Sequence, residues 1–156
     1  MDPAAGRIVV GCAQAADLPG LLALDPPGSG LSARRLERQA AGEIDFLVAW
    51  IDAAPVGACE LLLGADPELR SLHVTPSSRG RGAGSALVQA AERAVAPGRL
   101  RLAVGLDNPR ARALYLRLGY EPTGRLQTDS YDYVDEAGST RHATETSEWL
   151  VKDVPA

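Results

Sequence analysis

The sequence predicts a mixed α/β fold in one domain that covers residues 1–156. Short apolar runs rich in β-branched residues, typical of strands, alternate with segments whose apolar residues recur at helical spacing. Clusters of proline and glycine separate these segments, and the predicted order of elements is βααβββαβαββ. A chain of 156 residues is long enough to bury a substantial core. No apolar run approaches the roughly 20 residues that span a bilayer, so we expect no membrane association.

The first half of the chain predicts three strands and two helices. The strands are expected over residues 7–12, 44–51 and 55–63, and the helices over residues 16–24 and 32–41. Ser32 is a candidate N-cap of the second helix, because its hydroxyl can accept a hydrogen bond from a free backbone amide. Glu60 is the only charged residue of the third strand. It faces either solvent or a polar cavity, and we favour solvent.

The second half predicts a strand, a loop and a helix, followed by a strand, a helix and a closing hairpin. The strands are expected over residues 69–74, 100–104, 130–135 and 144–152. Asn108 followed by Pro109 predicts the start of the last helix, and Gly119 predicts its end. Tyr115 lies on the apolar face of this helix and should point inward.

The loop at residues 79–84, with the sequence RGRGAG, is the strongest functional signal. Its glycines allow consecutive backbone N–H groups to close around an oxygen anion. The helix that follows adds its free N-terminal amides and the positive end of its dipole. Arg79 and Arg81 add fixed charge. The loop therefore predicts a phosphate or diphosphate site, and the alternative is a glycine-rich turn with solvated arginines.

Two familiar phosphate motifs do not fit this loop. A Walker A loop ends in Gly-Lys-Ser/Thr, whereas the only lysine of the chain is Lys152. The dinucleotide pattern G-x-G-x-x-G ends on Ser85 when it starts at Gly80, and on Leu87 when it starts at Gly82. Nucleoside triphosphate and dinucleotide sites are therefore disfavoured.

Charge is segregated along the chain. Residues 79–117 hold eight arginines against two carboxylates, and residues 121–156 hold three basic against eight acidic residues. The basic part suits an anionic cofactor, and the acidic part favours a cationic co-substrate, although an uneven solvated surface explains the acidic part equally well. No basic stretch carries interleaved aromatic residues, so we expect no nucleic-acid partner.

Cysteine and histidine usage argues against a metal site. Cys12, Cys59 and two histidines give neither zinc spacing nor a disulfide framework, so we expect no metal, and we expect both cysteines to be small core residues. The N-terminus lacks the basic start and apolar core of a signal peptide, so a cytoplasmic location is expected.

Two motifs together resemble the GNAT acetyltransferase superfamily. The first is Arg-x-x-Gly-x-Gly from Arg79 to Gly84, which is similar to the coenzyme A pyrophosphate loop of that family. The second runs from Asn108 to Tyr120, with the pattern N-x-x-A-x-x-L-Y-x-x-L-G-Y. The element order matches as well over residues 7–152. The resemblance implies the GNAT fold, with a central twisted mixed sheet of about six or seven strands flanked by about four helices.

The resemblance also implies residue roles. The catalytic set would be Tyr115 as the acid for the leaving thiolate, the Val74 amide as the oxyanion donor, and Glu68 as the general base. The coenzyme-binding set would be Leu72, His73, Val74, Arg79, Gly80, Arg81, Gly82, Ala83, Gly84, Ser85, Asn108, Arg110 and Tyr115. A tyrosine with its ordinary pKa of about 10 is protonated at neutral pH and can deliver a proton. The base remains open between Glu68, Glu60 and water-mediated deprotonation by neither.

The expected activity is direct acetyl transfer from acetyl-CoA to a primary amine of a small molecule or peptide. Trp50, Glu60 and Tyr131 are candidate contacts for this acceptor, which we expect to be cationic. The alternative is a catalytically weak acyl-CoA-binding or regulatory module on the same fold. The family often forms dimers, so the resemblance also allows a homodimer.

Overall fold

The protein, seen in a computed structural model, is described over residues 7–156 and contains seven β-strands and four α-helices in that range. The strands are β1 (Ile8–Cys12), β2 (Ile44–Ile51), β3 (Ala54–Leu62), β4 (Glu68–Val74), β5 (Gly98–Gly105), β6 (Glu121–Val134) and β7 (Thr140–Val154). The helices are α1 (Leu18–Leu21), α2 (Leu31–Ala40), α3 (Ala83–Val95) and α4 (Pro109–Arg117). Two compact units are formed, one by residues 7–100 with 153–156 and the other by residues 101–152.

In the first unit, β1 to β4 pair antiparallel in chain order. Helix α3 packs on these four strands, and α2 packs on β2. The core between the strands and the first helices includes Leu21, Ile44, Phe46 and Val48, each fully buried. A two-residue turn joins β2 to β3, and both Asp52 and Ala53 adopt positive φ there. The turn geometry follows the right-handed twist of the strands, which fixes the register of β3 and therefore the direction of its side chains.

In the second unit, β6 and β7 form a long antiparallel hairpin. Every residue of β6 is exposed, and polar cross-strand pairs hold it to β7. One such pair joins the hydroxyls of Thr128 and Thr146 at 3.0 Å. Helix α4 begins as its sequence predicts, because the Asn108 side chain accepts a hydrogen bond from the Ala111 amide at 3.2 Å. It ends at Arg117, and Gly119 two residues later has a φ of 97°, the left-handed conformation that commonly follows a helix.

The predicted fold class and element order are confirmed. The described chain is a mixed α/β protein whose seven strands and four helices follow one another in the predicted order. No helix in residues 7–156 is long and apolar enough to cross a membrane.

Three expectations about individual segments were wrong. Ser32 is not an N-cap: Gly30 occupies that position, and the Ser32 amide and hydroxyl both donate to Asp25, at 2.9 and 2.6 Å. The expected helix over residues 16–24 is a single α-helical turn, α1, flanked by 3₁₀ turns, because Pro19 and Gly20 are poor helix formers. The closing strands were predicted too short, since polar alternation does not show where an exposed hairpin begins.

The two cysteines differ, and the expectation of two core cysteines was wrong for one of them. Cys59 is fully buried on β3, and burial raises the pKa of its thiol to about 12. Cys12 is exposed, because it ends the short edge strand β1. Partial desolvation, followed by the neighbouring charge of Asp45, raises the pKa of the Cys12 thiol above its usual range.

Candidate functional site

A pocket of about 400 Å³ opens in the first unit. Three segments line it: the turn between α1 and α2, one face of α2, and the adjoining parts of β3 and β4. The lining residues are Leu24, Pro26, Leu31, Arg35, Ala58, Glu60, Ser71, Leu72 and His73. The walls are mainly apolar, and a few polar groups converge on one region, which is the usual composition of a small-molecule site.

Glu60 forms the polar floor of this pocket. The expectation that it faces solvent was wrong, because the residue is only 6% exposed. One carboxylate oxygen accepts from Arg35 Nε at 2.8 Å, and the other accepts from Arg38 at 2.8 Å. Both arginines come from α2, one helical turn apart, so that they lie on the same face of the helix. Two cations therefore neutralise one buried carboxylate, as burial of a charge requires.

Strand β4 is distorted where it borders the pocket. Ser71 has a φ of 56°, in the left-handed region that non-glycine residues rarely adopt. The β3–β4 register shifts at the same place, so that β4 carries one extra residue opposite Cys59. This is a β-bulge, which bends a strand and redirects the side chains beyond it. The bulge brings Leu72 and His73 to the pocket, and such local strain is typical of functional sites.

Val74 directs its backbone groups away from β3. The next residue, Thr75, donates its N–H to the Val56 carbonyl at 2.8 Å. In an antiparallel pair, successive residues alternate in the direction of their N–H and C=O groups, so those of Val74 point to the opposite side. Its carbonyl accepts from Arg79 Nε at 3.2 Å on that side.

The β3 and β4 backbones approach each other closely beside Val74. A Cβ atom at Gly57 would lie 2.8 Å from the His73 carbonyl oxygen. Only glycine fits this position without moving one of the two strands, and the close contact holds β4 in place just beyond its bulge.

The glycine-rich loop follows β4 directly and opens α3. Gly80 and Gly82 have φ values of 78° and 91°, and Gly82 is the N-cap of the helix. Within residues 7–156, the amides of Gly80, Arg81 and Gly82 donate no hydrogen bond to the protein. The helix presents its own unpaired first amides at Ala83, Gly84 and Ser85. These donors and the exposed Arg79 and Arg81 form an arrangement that suits an oxygen anion such as a phosphate.

Glu68, the first residue of β4, is also buried, at 6% exposure. Its carboxylate accepts from Arg70 at 2.6 and 3.4 Å. The two residues lie two positions apart on one strand and therefore share one face. Arg70 is half exposed, so the Glu68 carboxylate is held by a guanidinium that remains in contact with water.

The remaining predicted residues of helix α4 and strand β6 belong to the second unit. Tyr115 points inward as predicted, at 6% exposure, and its ring meets that of Tyr120 edge-on at 5.9 Å. Arg110 is exposed in the first turn of α4, beside the capping residue Asn108. Tyr131 is 47% exposed on β6.

Sequence reasoning missed Arg35 and the residues that surround it. One feature of the sequence points to them. Arg35 and Arg38 are three positions apart on a helix that carries an apolar stripe, so that both lie on the same face and can reach one partner. Of the predicted acceptor contacts in the first unit, Glu60 lines the pocket, whereas Trp50 packs against the core cluster. No group of three or more His, Cys, Asp or Glu residues in the described range is arranged to hold a metal ion.

Comparison with known proteins identifies the class to which this fold and site belong. The family model described as the acetyltransferase (GNAT) family matches residues 9–120. The chain therefore belongs to the GNAT acetyltransferase family, and acetyl transfer is its class of activity. A comparison with curated protein sequences found no match.

Several solved acetyltransferases share the fold. A phosphinothricin acetyltransferase from Sinorhizobium meliloti, in complex with acetyl-CoA, is 20% identical, with 95% of this chain and 89% of that chain covered and a TM-score of 0.67. An N-acetyltransferase from Thermoplasma acidophilum, in complex with coenzyme A, is 17% identical over 94% and 99% of the two chains, with a TM-score of 0.64. A ribosomal-protein-alanine N-acetyltransferase from Brucella melitensis is 20% identical over 93% and 99%, with a TM-score of 0.65. At these identities the likeness concerns the fold.

Proposed function

We propose that the protein transfers an acetyl group directly from acetyl-CoA to a primary amine of a small molecule or peptide. The observation that carries this proposal is the bulge at Ser71, followed by the outward-facing backbone groups of Val74 and then by the glycine loop. In this succession the Val74 backbone lies along the chain between a strand segment that lines the pocket and the glycine loop, which supports a role for Val74 beside the reacting carbonyl. The family model spans parts of both units, and we therefore propose that they act as one catalytic domain.

Acetyl-CoA supplies the activated thioester carbonyl. The amides of residues 80–85, together with Arg79 and Arg81, would hold its diphosphate, and Asn108 and Arg110 are proposed to contact the rest of the coenzyme. The Val74 N–H would donate to the carbonyl oxygen as negative charge develops there, which is the main task of an oxyanion donor. Tyr115 is proposed to give its proton to the departing thiolate.

Glu68 is the better candidate for the general base. Both oxygens of Glu60 are held by arginines of α2, so that Glu60 is assigned to the pocket floor instead. The Glu68 carboxylate accepts from Arg70, whose side chain is half exposed, so a water molecule can reach this ion pair. We expect Glu68→Gln to lower kcat at neutral pH about a hundredfold, in the usual range for loss of an acid or base. A variant with normal kcat would remove Glu68 from the mechanism.

Thiol release from acetyl-CoA in the presence of a panel of primary amines tests the activity itself. The proposal predicts thiol release that depends on the amine, with an equal amount of N-acetylated product. Coenzyme A binding without turnover on any amine would instead favour a regulatory acyl-CoA-binding module.

A further inference from the structure

The pocket contains a buried arginine that the protein leaves partly unused. Arg35 is only 8% exposed. Its Nε donates to Glu60, whereas its two terminal nitrogens have no hydrogen-bond acceptor within residues 7–156. A guanidinium carries five N–H donors in a fixed plane, so four of them remain available here. Because Arg35 lines the pocket, these donors are available to a bound molecule.

Glu60 does not accept from these donors. The hydrogen bonds that its two oxygens accept from the arginines come from Arg35 Nε and from Arg38. Arg38 turns its Nε toward Glu43 at 3.3 Å, at the exposed end of the cluster. The charged residues that line the pocket itself are Arg35 and Glu60. The terminal nitrogens of Arg35 therefore remain as charged hydrogen-bond donors for a molecule bound in the pocket.

The shape of Arg35 restricts which ligand it selects. Two terminal NH₂ groups of one guanidinium match the two oxygens of a carboxylate, and such paired, charge-assisted hydrogen bonds are stronger than neutral ones. The Phe46 ring, 5.4 Å from the guanidinium carbon, supports one face of its plane. The rest of the pocket wall is mainly apolar, with Leu24, Leu31 and Leu72 as its largest apolar members.

We propose that the acceptor is a small amino carboxylate with an apolar side chain, such as an aliphatic amino acid, whose carboxylate binds the terminal nitrogens of Arg35. This inference rests on the proposed acetyltransferase function and narrows its substrate class. In the transfer, the acceptor amine gains the acetyl group and loses one proton. The thiolate of coenzyme A leaves and takes up a proton, while the carboxylate is unchanged.

A matched set of three acceptors tests the proposal with the full chain: leucine, leucinamide and isopentylamine. They share the side chain and a primary amine, and differ in whether a carboxylate, a neutral amide or nothing is attached. Because the amide lowers the pKa of the neighbouring amine, kcat/KM is compared per concentration of neutral amine. We expect kcat/KM to be at least about tenfold higher for leucine than for leucinamide, since hydrogen bonds between charged groups contribute about 1.5–3 kcal/mol. Leucinamide also represents a peptide N-terminus. Equal or better turnover of leucinamide by the native enzyme would overturn the proposal.

Two variants of α2 show whether Arg35 causes the preference. Arg35→Gln should abolish the advantage of leucine, whereas Arg38→Gln, which removes the same charge from the same carboxylate, should retain it. Arg35→Lys keeps the charge and loses the planar pair of donors, so it should lose most of the preference even where Arg35→Gln is poorly folded. Loss of the preference in Arg38→Gln with its retention in Arg35→Lys would contradict the assignment.

A binding measurement tests the carboxylate site independently of the acetyltransferase activity. Calorimetry in the presence of coenzyme A compares the affinities of leucine and leucinamide for the native protein. Tighter binding of leucine without any turnover would support the carboxylate site and reject the acetyltransferase proposal. Turnover of all three acceptors at equal rates would support the acetyltransferase and reject the carboxylate site.

Discussion

The bulged strand β4 separates two regions that are built differently. The proposed donor region consists of the Val74 backbone and the loop at residues 79–85, and the groups that we assign to recognition there are mainly backbone amides. The proposed acceptor region is the pocket lined by α2, β3 and β4, where the assigned recognition groups are side chains, chiefly Arg35 and Glu60. The donor region depends on local conformation at two glycines with positive φ. The acceptor region depends on residues more than twenty positions apart, such as Arg35 and Glu60.

This difference explains why we expect the donor region to recognise a common chemical group and the acceptor region to recognise one class of substrate. A backbone cradle recognises any diphosphate and tolerates variation of the surrounding side chains. A buried ion pair recognises one charge arrangement and changes when a single residue changes. We therefore expect substitutions in the donor region to affect the coenzyme alone, and substitutions in the acceptor region to affect stability and acceptor choice.

The largest effect is expected from Tyr115→Phe, which removes the hydroxyl that we propose as the proton donor and changes no residue of the pocket or of the glycine loop. Turnover should fall by a factor of about 10²–10⁴, the range typical of acid–base catalysis, with little change in acetyl-CoA affinity. Tyr120→Phe is the matched control, since it removes a hydroxyl from the neighbouring buried ring. Steady-state kinetics of the two variants show whether the loss of turnover is specific to the Tyr115 hydroxyl. Equal loss of turnover in both would assign Tyr115 to packing.

The next largest effect is expected on stability from Glu60→Gln. This change leaves the buried Arg35 without its carboxylate, while Arg38 keeps Glu43, and breaking a buried ion pair costs about 3–5 kcal/mol. Glu43→Gln is the control because it removes the exposed partner of the same Arg38, at a cost of about 1 kcal/mol or less. Denaturant unfolding measures both. Similar losses in the two variants would show that the acceptor region does not depend on burial of its ion pair.

A smaller effect is expected in the donor region from Gly80→Ala. The change forces a side chain into positive φ and adds a methyl to the proposed cradle, so we expect the acetyl-CoA KM to rise about tenfold, for a conformational cost of about 1–3 kcal/mol. Gly28→Ala imposes the same backbone strain at a φ of 73° in open space outside the loop. It should lose similar stability with no change in KM. A higher KM in both variants would mean that strain alone, and not the cradle, is responsible.

The smallest effect concerns the two thiols. Cys59 is buried beside Glu60, and its pKa is raised to about 12, so that almost no thiolate forms at pH 8. Cys12 is exposed, although its pKa is also raised. We expect iodoacetamide to modify the folded protein at Cys12 alone, and both cysteines only after unfolding, as judged by mass spectrometry. Rapid modification of Cys59 in the folded protein would show that the core around β3 opens to solvent.

The contrast between local conformation and contacts distant in sequence also determines how much could be predicted from the sequence. The element order, the glycine loop and the Asn108 cap were predictable because each depends on residues close together in the chain. The pairing of Arg35 with Glu60 was not, since it requires the register of β3 against α2. Ser32 shows the same limit: its capping potential is local, but Asp25 from the preceding turn takes its hydroxyl. The bulge at Ser71 was also missed, because no residue type in that strand requires a positive φ.

The assignment of one substrate to each region can be tested most directly by measuring both Michaelis constants for Gly80→Ala and Arg35→Lys in one assay. Gly80→Ala should raise the KM for acetyl-CoA and leave that for leucine unchanged. Arg35→Lys should raise the KM for leucine and leave that for acetyl-CoA unchanged. If both variants raised the same KM, or if each raised both, the division into a donor and an acceptor region would be contradicted.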